Sequence, residues 1–245
     1  MILTNIDGKV GEVDAHFIFL FSDDTTQDAN FVAAGKHYIY SEFLPSIFPD
    51  NMNIKVYAES DGAGALNCNL SKSLMPWWNE WTDGRVKEKQ LRHSINGDGK
   101  TNLDGVFGKL GQNFIDAVNN GITNITNAHT CLLAFQNGAG ISGAVAAVLI
   151  LDRNSPLENA PNAREPRLLS SHRLVLDRDK NQVMTYGNSG YGNGIPISLD
   201  DMVNMFSSAP SRPQYSVILQ AEIEPPGSLS GLSSTVARQR VGLWH

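Results

Sequence analysis

Apolar residues along this chain gather into short runs separated by polar stretches rich in glycine and asparagine. Four runs predict buried strands: HFIFLFS (16–22), NIKVYAES (53–60), HTCLLAFQ (129–136) and YSVILQAEI (215–223). HRLVLDRD (172–179) predicts a further strand, shorter and more mixed. The first and third runs are nearly continuous in apolar residues, the pattern of strands covered on both faces.

Helical spacing lies between these runs. NFVAAGKHYIYSEFL (30–44) sets Phe31, Ala34, Tyr38 and Phe43 roughly on one side. DGVFGKLGQNFIDAVNNGI (104–122) sets Val106, Leu110, Phe114, Ala117 and Val118 in a stripe at the helical period. ISGAVAAVLIL (141–151) is apolar all round and predicts a buried helix ended by Asp152 and Arg153. SLDDMVNMF (198–206) opens with Ser198 as N-cap before two acids.

This alternation predicts an α/β fold: a doubly wound, mostly parallel sheet flanked by helices, α/β-hydrolase-like or Rossmann-like. Residues 1–224 are expected to form one domain, with loop excursions at 61–103 and 154–169 and a further loop at 185–197. Residues 225–245 are expected to form a C-terminal tail.

In parallel sheets, ligands bind beyond the carboxyl ends of the strands. The first strand runs into SDDTTQD (22–28), the second into SDGAGA (60–65) and the third into NGAGIS (137–142). If these ends converge, Asp23, Thr25, Asp61, Gly62, Asn137, Gly138 and Gly140 line a polar crevice for substrate or phosphate. Asp23 and Asp24 suit a cation, acid–base work or the cap of the following helix, and capping is the plainest of these. Gly138, Gly140 and Gly143 also fit the dinucleotide spacing G-x-G-x-x-G. The acid expected about twenty residues later falls on Glu158 or Glu165, in a proline-rich stretch. INGDGKTNLDG (95–105) has the oxygen-rich look of a calcium loop, but Lys100 intrudes and a turn is expected instead.

Composition narrows the classes. The 245 residues are 41% hydrophobic and 18% charged, which provides for a sizeable core. The net charge of −6 and scattered Lys and Arg speak against a nucleic-acid partner. RVKEKQLR (85–92) is the densest basic group; Glu88 interrupts it, and it predicts a solvated surface segment. Two cysteines and six dispersed histidines give no disulfide framework and no metal spacing, so neither metal nor cofactor is expected. MILTNIDGKVGEVD is charged where a signal peptide is apolar, and ISGAVAAVLIL is too short to span a bilayer. A cytoplasmic location follows, with secretion by a signal-independent route left open. PWWNEW (76–81) predicts packing of Trp77, Trp78 and Trp81; the alternative is an exposed patch for oligomerisation, shared with the tail.

Taken in order, DDTTQD, VYAESDGAGA, DGVFGKLGQNFIDAVNNGI and HTCLLAFQNGAGISGAV resemble one branch of the α/β-hydrolases. That branch comprises the bacterial type VI secretion phospholipase effectors and their relatives, and the resemblance covers about residues 16–150. It implies hydrolysis of an ester or lipid at a strand–turn–helix elbow. Gly138 stands where the family mounts its serine, and Ser142 is the hydroxyl one helical turn later. Asp177 resembles the family's acid position, with Asp24 in support, and His245 is the histidine after Asp177. The resemblance therefore implies either a hydrolase using Ser142 or a degenerate relative that binds or assembles without turnover. A nucleotide- or phosphate-binding domain is the third reading.

Overall fold

Residues 128–137 form a helix and residues 144–151 a strand, the reverse of the strand and helix that their apolar runs predict. A computed structural model of the chain describes residues 2–4, 14–26, 28–48, 53–60, 68–93, 102–138, 141, 144–154, 157, 166–187, 192–206 and 208–219. In chain order the elements begin with β1 (Ile2–Thr4), β2 (Asp14–Phe21), α1 (Ala29–Tyr38), a π-helical turn (Ile39–Phe43), α2 (Leu44–Ile47) and β3 (Ile54–Ser60). They continue with α3 (Asn69–Ser73), α4 (Trp78–Trp81), β4 (Val86–His93), α5 (Asn102–Asn119), α6 (Ala128–Asn137) and β5 (Ala144–Leu151). The last are α7 (Pro166–Ser170), β6 (Arg173–Asp177), β7 (Gln182–Tyr186), β8 (Ile195–Ser198), α8 (Leu199–Val203) and β9 (Tyr215–Leu219). Among the described residues, no helix is long and apolar enough to cross a membrane.

The chain divides into two units, one of residues 1–25, 101–150 and 216–245, the other of 26–100 and 151–215. Each has its own sheet. The first sheet runs β1-β2-β5-β9, with β1 antiparallel and β5 parallel to β2. The second runs β3-β4-β6-β7-β8, where β3 and β4 are parallel and every later pair is antiparallel. Two mixed sheets thus replace the doubly wound, mostly parallel sheet expected from the sequence. The apolar run at 129–136 lies in a helix and that at 144–151 in a strand, because short apolar runs have no period that separates the two, while β4 and most of β8 occupy polar stretches that read as loops.

In the first unit, Asn127 starts α6 by a capping box. Its side chain accepts from Thr130 N (2.9 Å), and Thr130 Oγ1 accepts from Asn127 N (3.0 Å). Ala128, Leu132 and Phe135 then recur at helical spacing and are all buried. β5 lies between β2 and β9, so Ala146, Ala147, Val148 and Leu149 are buried in succession and no period-two signal survives. The core joins Phe19, Leu110, Leu132, Phe135 and Val148, with the Phe19 and Phe135 rings 5.6 Å apart. Leu132 is fully buried, which contributes about 2 kcal/mol by removing its side chain from water.

In the second unit, β4 occupies the basic run that predicts a solvated surface. Val56 pairs with Glu88 but Tyr57 with Gln90, so Lys89 is the extra residue of a β-bulge. The bulge shifts the buried set from Val86 and Glu88 to Leu91 and His93. Glu88 is held inside by Lys36, whose Nζ lies 2.6 Å from Oε1, and by the Tyr40 hydroxyl, which donates to the same oxygen at 2.9 Å. Beside this pair, Trp78 meets Trp81 and Tyr40 edge-on, with centroids 5.1 and 5.3 Å away. Trp77 packs on Phe206 at 6.1 Å. The tryptophans are therefore core, and Trp77 and Trp81 offer no exposed oligomerisation patch. The supposed excursion 61–103 contributes α3, α4 and β4, and the supposed loop 185–197 contributes the end of β7 and most of β8.

Candidate functional site

In the first unit, the predicted crevice comes apart. β2 and β5 are parallel, with Phe17 opposite Ala144 and Phe21 opposite Val148. The SDDTT stretch therefore follows the carboxyl end of β2, while Gly138 and Ile141 come before the amino end of β5. These are opposite ends of the parallel strand pair. Asp23 Oδ1 accepts from Ala128 N at 2.6 Å, which caps α6 rather than the next helix in sequence. That next helix, α1, has its own cap in Asp28, whose Oδ1 accepts from Phe31 N at 3.0 Å. Asp24 N donates to Ser22 Oγ (3.2 Å), and Thr25 is exposed. Asn137 ends α6, its Nδ2 donating to Leu133 O at 2.9 Å. At 1.5 Å per residue, the 10 residues of α6 separate Asp23 from Asn137 by about 15 Å.

Gly138 is neither a vacant nucleophile position nor part of a phosphate cradle. It is the C-cap of α6, and its N–H already donates to Ala134 O at 3.0 Å. A Cβ there would stand 2.9 Å from Cβ and Cγ of Asn113 on α5, so glycine is required for the close approach of the two helices. A helix C-terminus also presents carbonyls and partial negative charge, the wrong end for an anion. Both the elbow and the dinucleotide readings need a strand followed by a helix, and here helix α6 is followed by strand β5.

Asp177 ends β6 in the second unit. Its Oδ1 accepts from Lys180 N (3.3 Å) and its Oδ2 lies 3.6 Å from Lys180 Nζ, so it closes the turn into β7. Asp61, Gly62, Gly140, Ser142 and His245 lie outside the described residues, as does the calcium-like stretch up to Thr101.

Two other groupings in the second unit bring together polar side chains that are far apart in sequence. The first sits at the carboxyl end of the parallel pair β3–β4. The register brings Ser60 opposite His93, with Ser60 Oγ 2.7 Å from His93 Nδ1. The bulge at Lys89 aims the His93 ring inward, where it is fully buried, while the His93 backbone N–H donates to His172 O at 2.7 Å. The available sequence signal is Ala58-Glu59-Ser60-Asp61-Gly62, a serine at a strand end with small residues two positions before and after it. Its histidine is 33 residues away, so no local motif joins them.

The second grouping lies at the amino end of the same pair, in a cleft of about 690 Å³. Ser41, Glu42, Asn53, Asp83, Arg85 and Arg212 face it. The π-helical turn presents Ser41 and Glu42; such turns insert a residue and commonly mark functional positions. One Arg85 nitrogen donates to Pro45 O (3.1 Å) and Phe48 O (3.0 Å), which fixes the guanidinium. Arg212 pairs with Asp83 at 3.1 Å on the rim. Behind the rim, the Tyr215 hydroxyl lies 2.8 Å from His37 Nδ1 and 3.2 Å from Glu42 Oε1. Burial, assisted by the Arg212 charge, lowers the His37 pKa to about 4, so the ring is neutral near pH 7. Burial lifts the Tyr215 phenol above its ordinary value, and the Glu42 carboxylate adds to the rise.

Among the described residues, no group of three or more His, Cys, Asp or Glu side chains is placed to hold a metal ion. No family model, curated protein or solved structure matches the chain.

Proposed function

We propose that this chain hydrolyses carboxylic esters through Ser60, with His93 as the general base. The observation that carries the reading is the 2.7 Å contact between Ser60 Oγ and His93 Nδ1 at the carboxyl end of a parallel strand pair. A serine hydroxyl is a weak nucleophile until an adjacent base takes its proton. In the tautomer protonated on Nε2, His93 Nδ1 accepts that proton as Oγ attacks the ester carbonyl. The imidazolium then returns the proton to the departing alkoxide, and water repeats the cycle on the acyl-enzyme. In sequence, small residues Ala58 and Gly62 flank Ser60 at two positions' distance, the spacing that surrounds a serine nucleophile at a strand end. This is the ester chemistry that the family resemblance implies, with Ser60 rather than Ser142 as the nucleophile.

The test is labelling with a fluorophosphonate and turnover of short-chain p-nitrophenyl esters. Ser60→Ala is expected to abolish labelling and lower kcat/KM by at least about 10³-fold, as loss of a serine nucleophile does elsewhere. His93→Gln should lose most of the turnover, and Ser142→Ala should retain it. Failure of the folded wild-type chain to label, or labelling that survives Ser60→Ala, overturns the reading.

A further inference from the structure

We propose that the cleft at the amino end of β3 and β4 binds a zwitterionic ligand of the amino-acid or dipeptide class, at a site separate from Ser60. The cleft is bounded by the residues that lead into the two strands, Asn53 before β3 and Gly84–Arg85 before β4. Ser60 and His93 close the other end of those strands. At about 3.3 Å per residue, the 7 residues of β3 set the two ends roughly 20 Å apart.

The ligand class follows from the charges in the cleft. Arg85 and Arg212 supply two cations, Glu42 and Asp83 two anions, and His37 behind them is neutral. A purely anionic ligand would meet two carboxylates, and a purely cationic one two guanidiniums. A ligand carrying both charges satisfies both sets. Arg85 is held in place by its two carbonyl contacts, which engage both hydrogens of one terminal nitrogen, so it gives the cleft a fixed positive charge rather than a planar fork. Arg212 and Asp83 are exposed, with side-chain accessibilities of 48% and 87%, so their mutual pair is weak and a ligand can exchange with it. Asp83 (φ 51°) and Gly84 (φ 80°) are both left-handed, and the tight turn they form carries Asp83 at the rim. The volume of about 690 Å³ lies within the range of small-molecule sites and accommodates a dipeptide.

The experiment is an NMR titration of ¹⁵N-labelled Ser60→Ala protein, so that binding stands or falls independently of hydrolysis. The probes are alanyl-alanine, N-acetyl-alanyl-alanine, alanyl-alaninamide, inorganic phosphate and 1,4-diaminobutane, each to about 10 mM, where millimolar affinities saturate. Alanyl-alanine is expected to shift the Thr82 and Gly84 amides saturably. Each capped dipeptide should bind about tenfold more weakly or worse, the loss of one charged contact. Glu42→Gln and Arg212→Ala, both at exposed positions, should weaken binding while leaving the remaining spectrum in place. The proposal is overturned by unmoved Thr82 and Gly84 amides, by equal binding of capped and free dipeptides, or by tighter binding of phosphate or diamine.

Discussion

Replacing Glu88 by glutamine should unfold the second unit far more readily than its place in a run of surface-like charges suggests. Glu88 has a fully buried side chain, and Lys36, 15% exposed, lies 2.6 Å from it. The same ammonium stands 5.1 Å from the Trp78 ring centroid and 5.6 Å from that of Tyr40. The amide of glutamine keeps the shape and the Tyr40 contact but removes the countercharge. Breaking one side of a buried pair costs about 3–5 kcal/mol. Lys36 keeps some access to water and two aromatic faces, which offset about 1 kcal/mol of that. A net loss of about 3 kcal/mol remains. In a chain of 245 residues this lowers Tm by roughly 6–12 °C, at about 2–4 °C per kcal/mol. Tryptophan fluorescence during urea unfolding is the suitable assay, because Trp77, Trp78 and Trp81 all pack in this unit. The double variant Lys36→Met/Glu88→Leu should recover at least half of the loss, since two apolar side chains leave no unpaired charge. A cost below about 1 kcal/mol for Glu88→Gln, the level of an exposed pair, would refute the reasoning.

Gly138→Ser restores the hydroxyl that the family resemblance places on its elbow, yet it should cost about 1–3 kcal/mol through the clash with Asn113 and create no esterase activity. A stable, newly active variant would defeat that account of Gly138. The His37 ring, with a folded pKa of about 4 against 6.5 for the free side chain, binds fewer protons folded than unfolded between those values. Its contribution to stability is complete above pH 6.5 and is lost as pH falls toward 4. A ¹H–¹⁵N titration of the ring should show this, His37→Asn should flatten the slope, and a measured pKa at or above 6 contradicts the burial argument. Asp23→Ala removes an acceptor from the first turn of α6 and should destabilise by about 1 kcal/mol; a thermal melt matching wild type rules out the capping role.

Periodicity by itself determined a good part of this molecule. β2, β3, β6 and the first half of the run at 215–223 stand where apolar residues cluster or alternate, because a strand with a covered face must carry them. The α5 stripe of Leu110 and Ala117 is buried as predicted, although Val118 at its margin is exposed. Ser198 caps α8 by accepting from Asp201 N, a signal contained within four residues. Legible features of this kind depend on neighbours in sequence.

What the tertiary structure decided depends on neighbours in space. The apolar runs at 129–136 and 144–151 are too short for periodicity to separate strand from buried helix. The decision came from the Asn127 capping box on one and from the place of the other between β2 and β9. β4 reads as a solvated run because the bulge at Lys89 breaks its period of two. Glu88 can be buried there only because Lys36 arrives from 52 residues earlier. Both groupings in the second unit share this property. Ser60 acquires its histidine through the register of two parallel strands, and the cleft gathers the π-helical turn, the Asp83–Arg85 turn and Arg212 from three distant stretches. Neither grouping exists until pairing and packing have brought these side chains together.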